Sequence, residues 1–207
     1  MSREEKSERS CRLVLDTALR LFSRHGYGAT TMRQIAAAAG ISTGAVYHHF
    51  PDKETIFHAL LDEFFEICDS NRFPFTRALG GPDVFPDNIE QLGFAARDSV
   101  RQYRAYFALI HVDVIEFEGT HIQKFYGDMG ERFRQFFEEH GQTESVRSRL
   151  RDGVAPASAV LLTTRMFFNH FMLEILFGVA QPFGRDSNLA VGEIADIIRH
   201  GVVGRSG

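Results

Sequence analysis

The 207 residues, 44% hydrophobic and 24% charged, suffice for a sizeable core in one or two compact units and exclude a disordered or low-complexity chain. The net charge of -4 is unevenly placed: residues 1–54 carry eight Lys/Arg against six Asp/Glu, and residues 55–207 carry fifteen against twenty-one. A slightly basic beginning and an acidic remainder are what one expects when a single end of a chain meets phosphate. Two cysteines, Cys11 and Cys68, exclude a disulfide framework or a metal knuckle and fit the reduced thiols of a cytoplasmic protein.

Residues 1–8 are polar and are expected to fray. They lack the apolar centre of a signal peptide, and Arg3, Lys6 and Arg9 are either solvated or within reach of a DNA backbone. From Ser10 to His25, helical spacing puts Val14, Ala18, Leu21 and Phe22 on one face and Asp16, Arg20 and Arg24 away from it. Gly26-Tyr27-Gly28 breaks that helix as a plain turn.

Residues 30–54, TTMRQIAAAAGISTGAVYHHFPDKE, read as two short helices around a tight turn. Thr31 caps the first, on which Met32, Ile35, Ala36 and Ala39 share a face; Gly40 supplies the exit and Ile41 plugs the corner. Ser42 caps the second, which opens on the small residues Thr43, Gly44 and Ala45 and turns Val46 and Phe50 inward. Pro51 stops it and Asp52 caps the next helix. A short helix, a glycine turn and a second helix with a small-residue opening make the helix-turn-helix build of a DNA reader.

The run from about Leu13 to Leu61 resembles the DNA-binding region of the TetR family of bacterial transcriptional repressors. The matching residues are Leu21-Phe22, Gly26-Tyr27, Thr30-Thr31, Ile35-Ala36, Ala39-Gly40, Tyr47, His49-Phe50-Pro51 and Lys53. The rest of the chain is similar to that family only in length and helical character.

Beyond this, Lys53 to about Arg72 is a long helix with Ile56, Leu60, Phe64 and Ile67 in one stripe. A Pro- and Gly-rich loop comes after it, with a partial turn around Thr76 to Leu79. Helical patterning resumes near Asn88, kinks near Tyr103 to Ala105 and reaches about Phe117. Gly119 breaks it, and Thr120 caps a helix to about Glu139. Ala155 to Gly178 is apolar nearly all round, carrying Val160, Thr164, Phe167, Phe171 and Ile175 on one side and Leu162, Met166, Leu173 and Leu176 on the other. Such a helix needs cover on two sides, the second from another subunit. Its Arg165, His170 and Glu174 argue against a membrane span. Asn188 to about Val202 adds Leu189, Ile194, Ile197 and Ile198 to the same interface. No strand periodicity appears, so the expected fold is all-α: a three-helix helix-turn-helix DNA-binding domain over residues 1–52 and a larger helical effector-binding and dimerisation domain over 53–207.

For DNA, Thr43, Gly44 and Ala45 are the candidate readers in the major groove, where small residues allow close approach. Thr31, Tyr47, His48 and Lys53 are candidate phosphate anchors, with Arg33 adding a backbone or base contact. The resemblance further implies a cavity in the larger domain for a small, mostly apolar effector. Its candidate lining is Phe64, Tyr103, Phe107, His111, Phe125, Met129, Phe133, Arg165, Asn169, His170 and Phe171. Among these, Asn169 and His170 stand out as polar groups on apolar helices. Glu118 and His121 form one Glu-x-x-His pair, but di-iron chemistry needs a second, so neither a metal nor another cofactor is expected. With no G-x-S-x-G and no phosphate loop, the expectation is a non-enzymatic, homodimeric repressor of a palindromic operator; an activator or a ligand-independent regulator is the alternative.

Overall fold

A computed structural model describes residues 2–182 and 184–202, without the side chains of residues 201 and 202. Every regular element among them is helical: α1 (Arg3–His25), α2 (Met32–Ala39), α3 (Thr43–His49), α4 (Lys53–Cys68), α5 (Pro74–Leu79), α6 (Ile89–Gln102), α7 (Arg104–Glu116), α8 (Thr120–Gly127), α9 (Met129–Glu139), α10 (Thr143–Arg147), α11 (Pro156–Phe171) and α12 (Ser187–Val202). The end of α11 widens into a π-turn over Met172–Leu176.

Two departures from the sequence-based expectation have local causes. First, α1 starts at Arg3 rather than Ser10, because Ser2 and Glu5 close a capping box: the Glu5 N–H donates to Ser2 Oγ at 3.0 Å and the Ser2 N–H to Glu5 Oε2 at 2.7 Å. Second, the helix expected from Thr120 to Glu139 divides at Asp128 into α8 and α9, where Gly127 and Asp128 are both weak helix formers. The partial turn near Thr76 is the short helix α5, which opens on Pro74.

The chain packs as two compact units. The first joins Met1–Glu66 to Ala105–Lys124, so it extends beyond the Asp52/Lys53 boundary expected from the sequence and takes in most of α4 and α7. Its core is the apolar face of α1 (Val14, Ala18, Phe22) closed by Ile35, Val46, Ile56, Phe57, Leu60 and Phe64, all buried. Phe64 stacks flat on Tyr106 at 5.2 Å, and the Tyr106 hydroxyl donates to Glu63 Oε2 at 2.9 Å. Burial and the Glu63 carboxylate push the Tyr106 phenol up to about 12. Glu63 also takes Arg12 of α1, whose guanidinium reaches Asp16 at 2.6 Å. One polar chain thus ties α1, α4 and α7.

The second unit holds Ile67–Arg104 and Phe125–Gly207. Here α6 packs on α5, α11 and α12, and α11 packs on α9. Pro156–Leu176 is long and apolar enough to cross a membrane by length and composition. Its Ala159, Val160, Thr163, Thr164, Phe167 and Phe171 are nonetheless buried within the unit, and Arg165 and Asn169 are exposed on its outer side.

Candidate nucleic-acid interface

The short helices are built by caps rather than length. Thr31 and Gln34 form a reciprocal box at the start of α2: the Gln34 N–H donates to Thr31 Oγ1 at 3.2 Å and the Thr31 N–H to Gln34 Oε1 at 2.8 Å. Gln34 escaped the sequence reading, although T-x-x-Q is a legible signature of this box. Gly40 ends α2 in the left-handed region at φ 69°, donating its N–H to Ala36 and Ala37 carbonyls. Ser42 Oγ then accepts the Ala45 N–H at 3.1 Å and opens α3. Buried Val46 and Phe50 pin α3 from within.

This inward pin fixes what faces out. Thr43 and Gly44 are exposed at the first turn of α3, and Ala45 is half-buried. Tyr47, 52% exposed, and exposed His48 come next on the same short helix; Thr31 and Arg33 are exposed at the start of α2. Half-buried His49 lies edge-on to His48 at 5.4 Å.

Lys53 is placed differently from a free surface anchor. Its Nζ donates to the Tyr27 carbonyl at 2.7 Å and sits 3.9 Å from the centre of the Tyr27 ring. Burial lowers the pKa of its ammonium, and Glu116 opposes that shift. Asp52 caps α4 by accepting the Thr55 N–H at 2.7 Å. The same bonds hold the Asp52 carboxyl below its ordinary range.

The effector candidates divide between the units. In the first, Phe64 and Phe107 are buried edge-on to each other at 5.2 Å, and His111 is half-buried, its pKa lowered by burial. In the second, His170 and Phe171 are buried and pack edge-on at 4.9 Å, while Tyr103, Phe125, Met129 and Phe133 are half-buried. Asn169 departs from expectation. It lies four residues on from Arg165, so the two share one face of α11, and that face is exposed.

Glu118 and His121 do not form the helical i, i+3 pair of a bundle metal site. Glu118 lies in the α7–α8 corner at φ 55°, and His121 Nδ1 is bonded to the buried Asp113 carboxylate. Among the described residues, no group of three or more His, Cys, Asp or Glu side chains is arranged to hold a metal ion.

Two capped short helices, joined by a left-handed glycine and packed on a third, form a helix-turn-helix fold. Residues 14–60 match the family model described as bacterial regulatory proteins, tetR family. It is similar to the HTH-type transcriptional regulator AcrR of Shigella flexneri, 42% identical over 73 residues, covering 34% of this chain and 32% of that protein. It is also similar to the HTH-type transcriptional repressor AcnR of Corynebacterium glutamicum, 44% identical over 59 residues, 28% of this chain and 31% of that one. The chain spans about a third of the length of these curated relatives.

Solved structures share the whole fold. A TetR transcriptional regulator of Chloroflexus aurantiacus is 24% identical with a TM-score of 0.71, over 96% of this chain and 98% of that one. NalD of Pseudomonas aeruginosa, the secondary repressor of the MexAB-OprM multidrug efflux pump, is 22% identical with a TM-score of 0.66, over 98% of this chain and 100% of its own.

Proposed function

We propose that the protein is a transcriptional repressor that binds a palindromic DNA operator as a homodimer and is released by a small, mostly apolar effector. The observation that carries this reading is the exposed opening of α3, Thr43-Gly44, backed by buried Val46 and Phe50 and succeeded by exposed Tyr47 and His48. An α3 so presented enters a major groove with its small residues against base edges. Thr43, Gly44 and Ala45 read sequence. Thr31, Arg33, Tyr47 and His48 anchor phosphates, and Lys53 contributes positive charge at the start of α4. Two copies set these helices about 34–36 Å apart, one turn of DNA.

The second copy docks on the outer faces of α11 and α12. Leu162 (55% exposed), Met166, Leu189 (56%) and Ile197 (61%) support this pairing, as several exposed apolar residues on two helices that pack together call for cover. Ile194 and Ile198, expected in that interface, are buried inside their own unit, so Leu189 and Ile197 carry the α12 share.

An effector that fits the non-binding form better shifts the population away from DNA. Along the chain, α4 runs from the first unit into the second and is the candidate lever, with Phe64 as its packing point. The direct test is selection of duplexes from a randomised pool by the full chain, together with binding to the DNA upstream of its own gene. A palindrome spanning successive major grooves is the expected product, and failure to enrich any duplex refutes the reading.

A further inference from the structure

We propose that Glu116 and Phe117, at the corner between α7 and α8, are positioning residues for the DNA-reading helices and act through the α1–α2 turn. This rests on the proposed operator binding, and it adds to α4 a second hold on the reader, made by residues far away in sequence.

The corner is built to place one side chain. The Phe117 and Gly119 N–H groups both donate to the Asp113 carbonyl, at 2.9 and 3.0 Å. Glu118 and Gly119 then take successive left-handed conformations, φ 55° and 73°. Glu118 is unusual there, because a side chain disfavours that region, and such a residue persists only where its surroundings over-determine it. The buried Asp113 carboxylate helps to do so: it accepts the Ile122 N–H at 3.3 Å and pairs with His121 Nδ1, fixing the start of α8. Thr120 closes the corner from its other side, its hydroxyl donating to the Phe117 carbonyl at 2.6 Å.

What this corner holds out is Phe117. Its ring stacks on Phe57 at 4.9 Å and meets Tyr27 edge-on at 4.9 Å. Beside it, Glu116 Oε1 accepts the Gly28 N–H at 3.2 Å across 88 residues of sequence. A β-carbon at position 28 would lie 3.1 Å from that same oxygen, so any larger residue would press the carboxylate back by a few tenths of an ångström. Tyr27 thus packs against the Phe117 ring, and Gly28 is bonded to the Glu116 carboxylate.

The turn transmits this placement to the DNA side. The Tyr27 carbonyl accepts both Lys53 Nζ at 2.7 Å and the Thr30 N–H at 3.1 Å, and the Thr30 hydroxyl donates to the Gly26 carbonyl at 2.9 Å. Thr31, the cap of α2 and a candidate phosphate anchor, is the next residue. A turn released from Glu116 and Phe117 keeps α2 and α3 folded but lets the start of α2 drift from the phosphate it must meet.

The test compares Glu116→Ala with Glu116→Gln in the full chain, using the duplex that the unaltered protein enriches from a randomised pool. Both substitutions remove the charge, and only Gln keeps an oxygen that accepts the Gly28 N–H. The Ala variant is expected to bind about fivefold more weakly than the Gln variant, and Phe117→Ala about tenfold more weakly than the unaltered chain. Faster hydrogen exchange at the Gly28 amide is expected in Glu116→Ala alone. Equal duplex affinities of the two Glu116 variants, or unchanged Gly28 exchange, overturn the proposal. Should the unaltered protein enrich no duplex, operator binding itself fails, and the exchange measurement still decides whether Glu116 holds the turn.

Discussion

The Phe167 ring of α11 lies where Gly93 of α6 would otherwise carry a β-carbon: such an atom would sit 2.7 Å from Cε1 of that ring and 2.8 Å from Cγ1 of Val191. Both neighbours are fully buried, so neither can swing aside. Gly93→Ala is therefore expected to destabilise the protein by about 1–3 kcal/mol, although alanine is the better helix former. Denaturant unfolding checks this; a stabilised variant would show that the α6–α11 contact yields freely.

The Tyr47→Phe, Lys53→Ala double variant should bind specific and random duplexes more weakly by a similar factor and show a shallower dependence of affinity on salt. Lys53→Ala alone should also lower thermal stability, since it removes the bond to the Tyr27 carbonyl and the contact with its ring. Affinity titrations at several salt concentrations, beside a melting curve, separate the two effects. An unchanged salt slope counts against the phosphate contacts.

Charging the outer faces of α11 and α12 should abolish self-association. Leu162→Glu with Ile197→Glu places two carboxylates where two exposed apolar residues now stand. Light scattering after size-exclusion chromatography is expected to give a dimer for the unaltered chain and a monomer for the variant, with helical content retained. A dimer that survives both charges would move the interface elsewhere.

Acid should weaken the tie between α6 and α12. The Arg199 guanidinium is hydrogen-bonded to both carboxylate oxygens of Glu90 and holds that carboxyl below its ordinary value of 4.5. A group depressed on folding contributes fully above its unfolded value and loses that contribution as pH falls through the folded one. Both partners are partly exposed, so the pair is worth about 0.2–1 kcal/mol. Arg199→Gln should cost this much at neutral pH and progressively less below pH 4.5. A penalty that grows on acidification would contradict the assignment.

Local chemistry was the legible part. The Thr31 and Ser42 caps, the Gly40 exit and the inward faces of α1 to α4 derive from spacing and turn residues, and they stand in the structure except that Leu21 and Ala39 are only half-buried. Most helices further on were equally readable, including the break between α6 and α7, whereas the short α10 was not. What resisted reading was rotation and long-range contact. Apolar residues nearly encircle α11, so nothing in the pattern distinguishes exposed Leu162 from buried Thr163. Ile197 and Ile198 are adjacent and alike, yet only one points outward. The Glu116–Gly28 bond lacks any local signal, because it forms only once the chain has returned to its own beginning.

That return has a practical consequence. The reader's unit comprises two separate pieces of chain, with residues 67–104 belonging elsewhere. A chimaera that grafts only residues 1–66 onto a foreign body leaves Phe117 behind, and the recipient must then furnish a ring of its own against Tyr27 and Phe57. Transplanting both pieces together preserves the native clasp, so on the proposed function recombination points for swapping operator specificity belong after Lys124 rather than at the end of the helix-turn-helix.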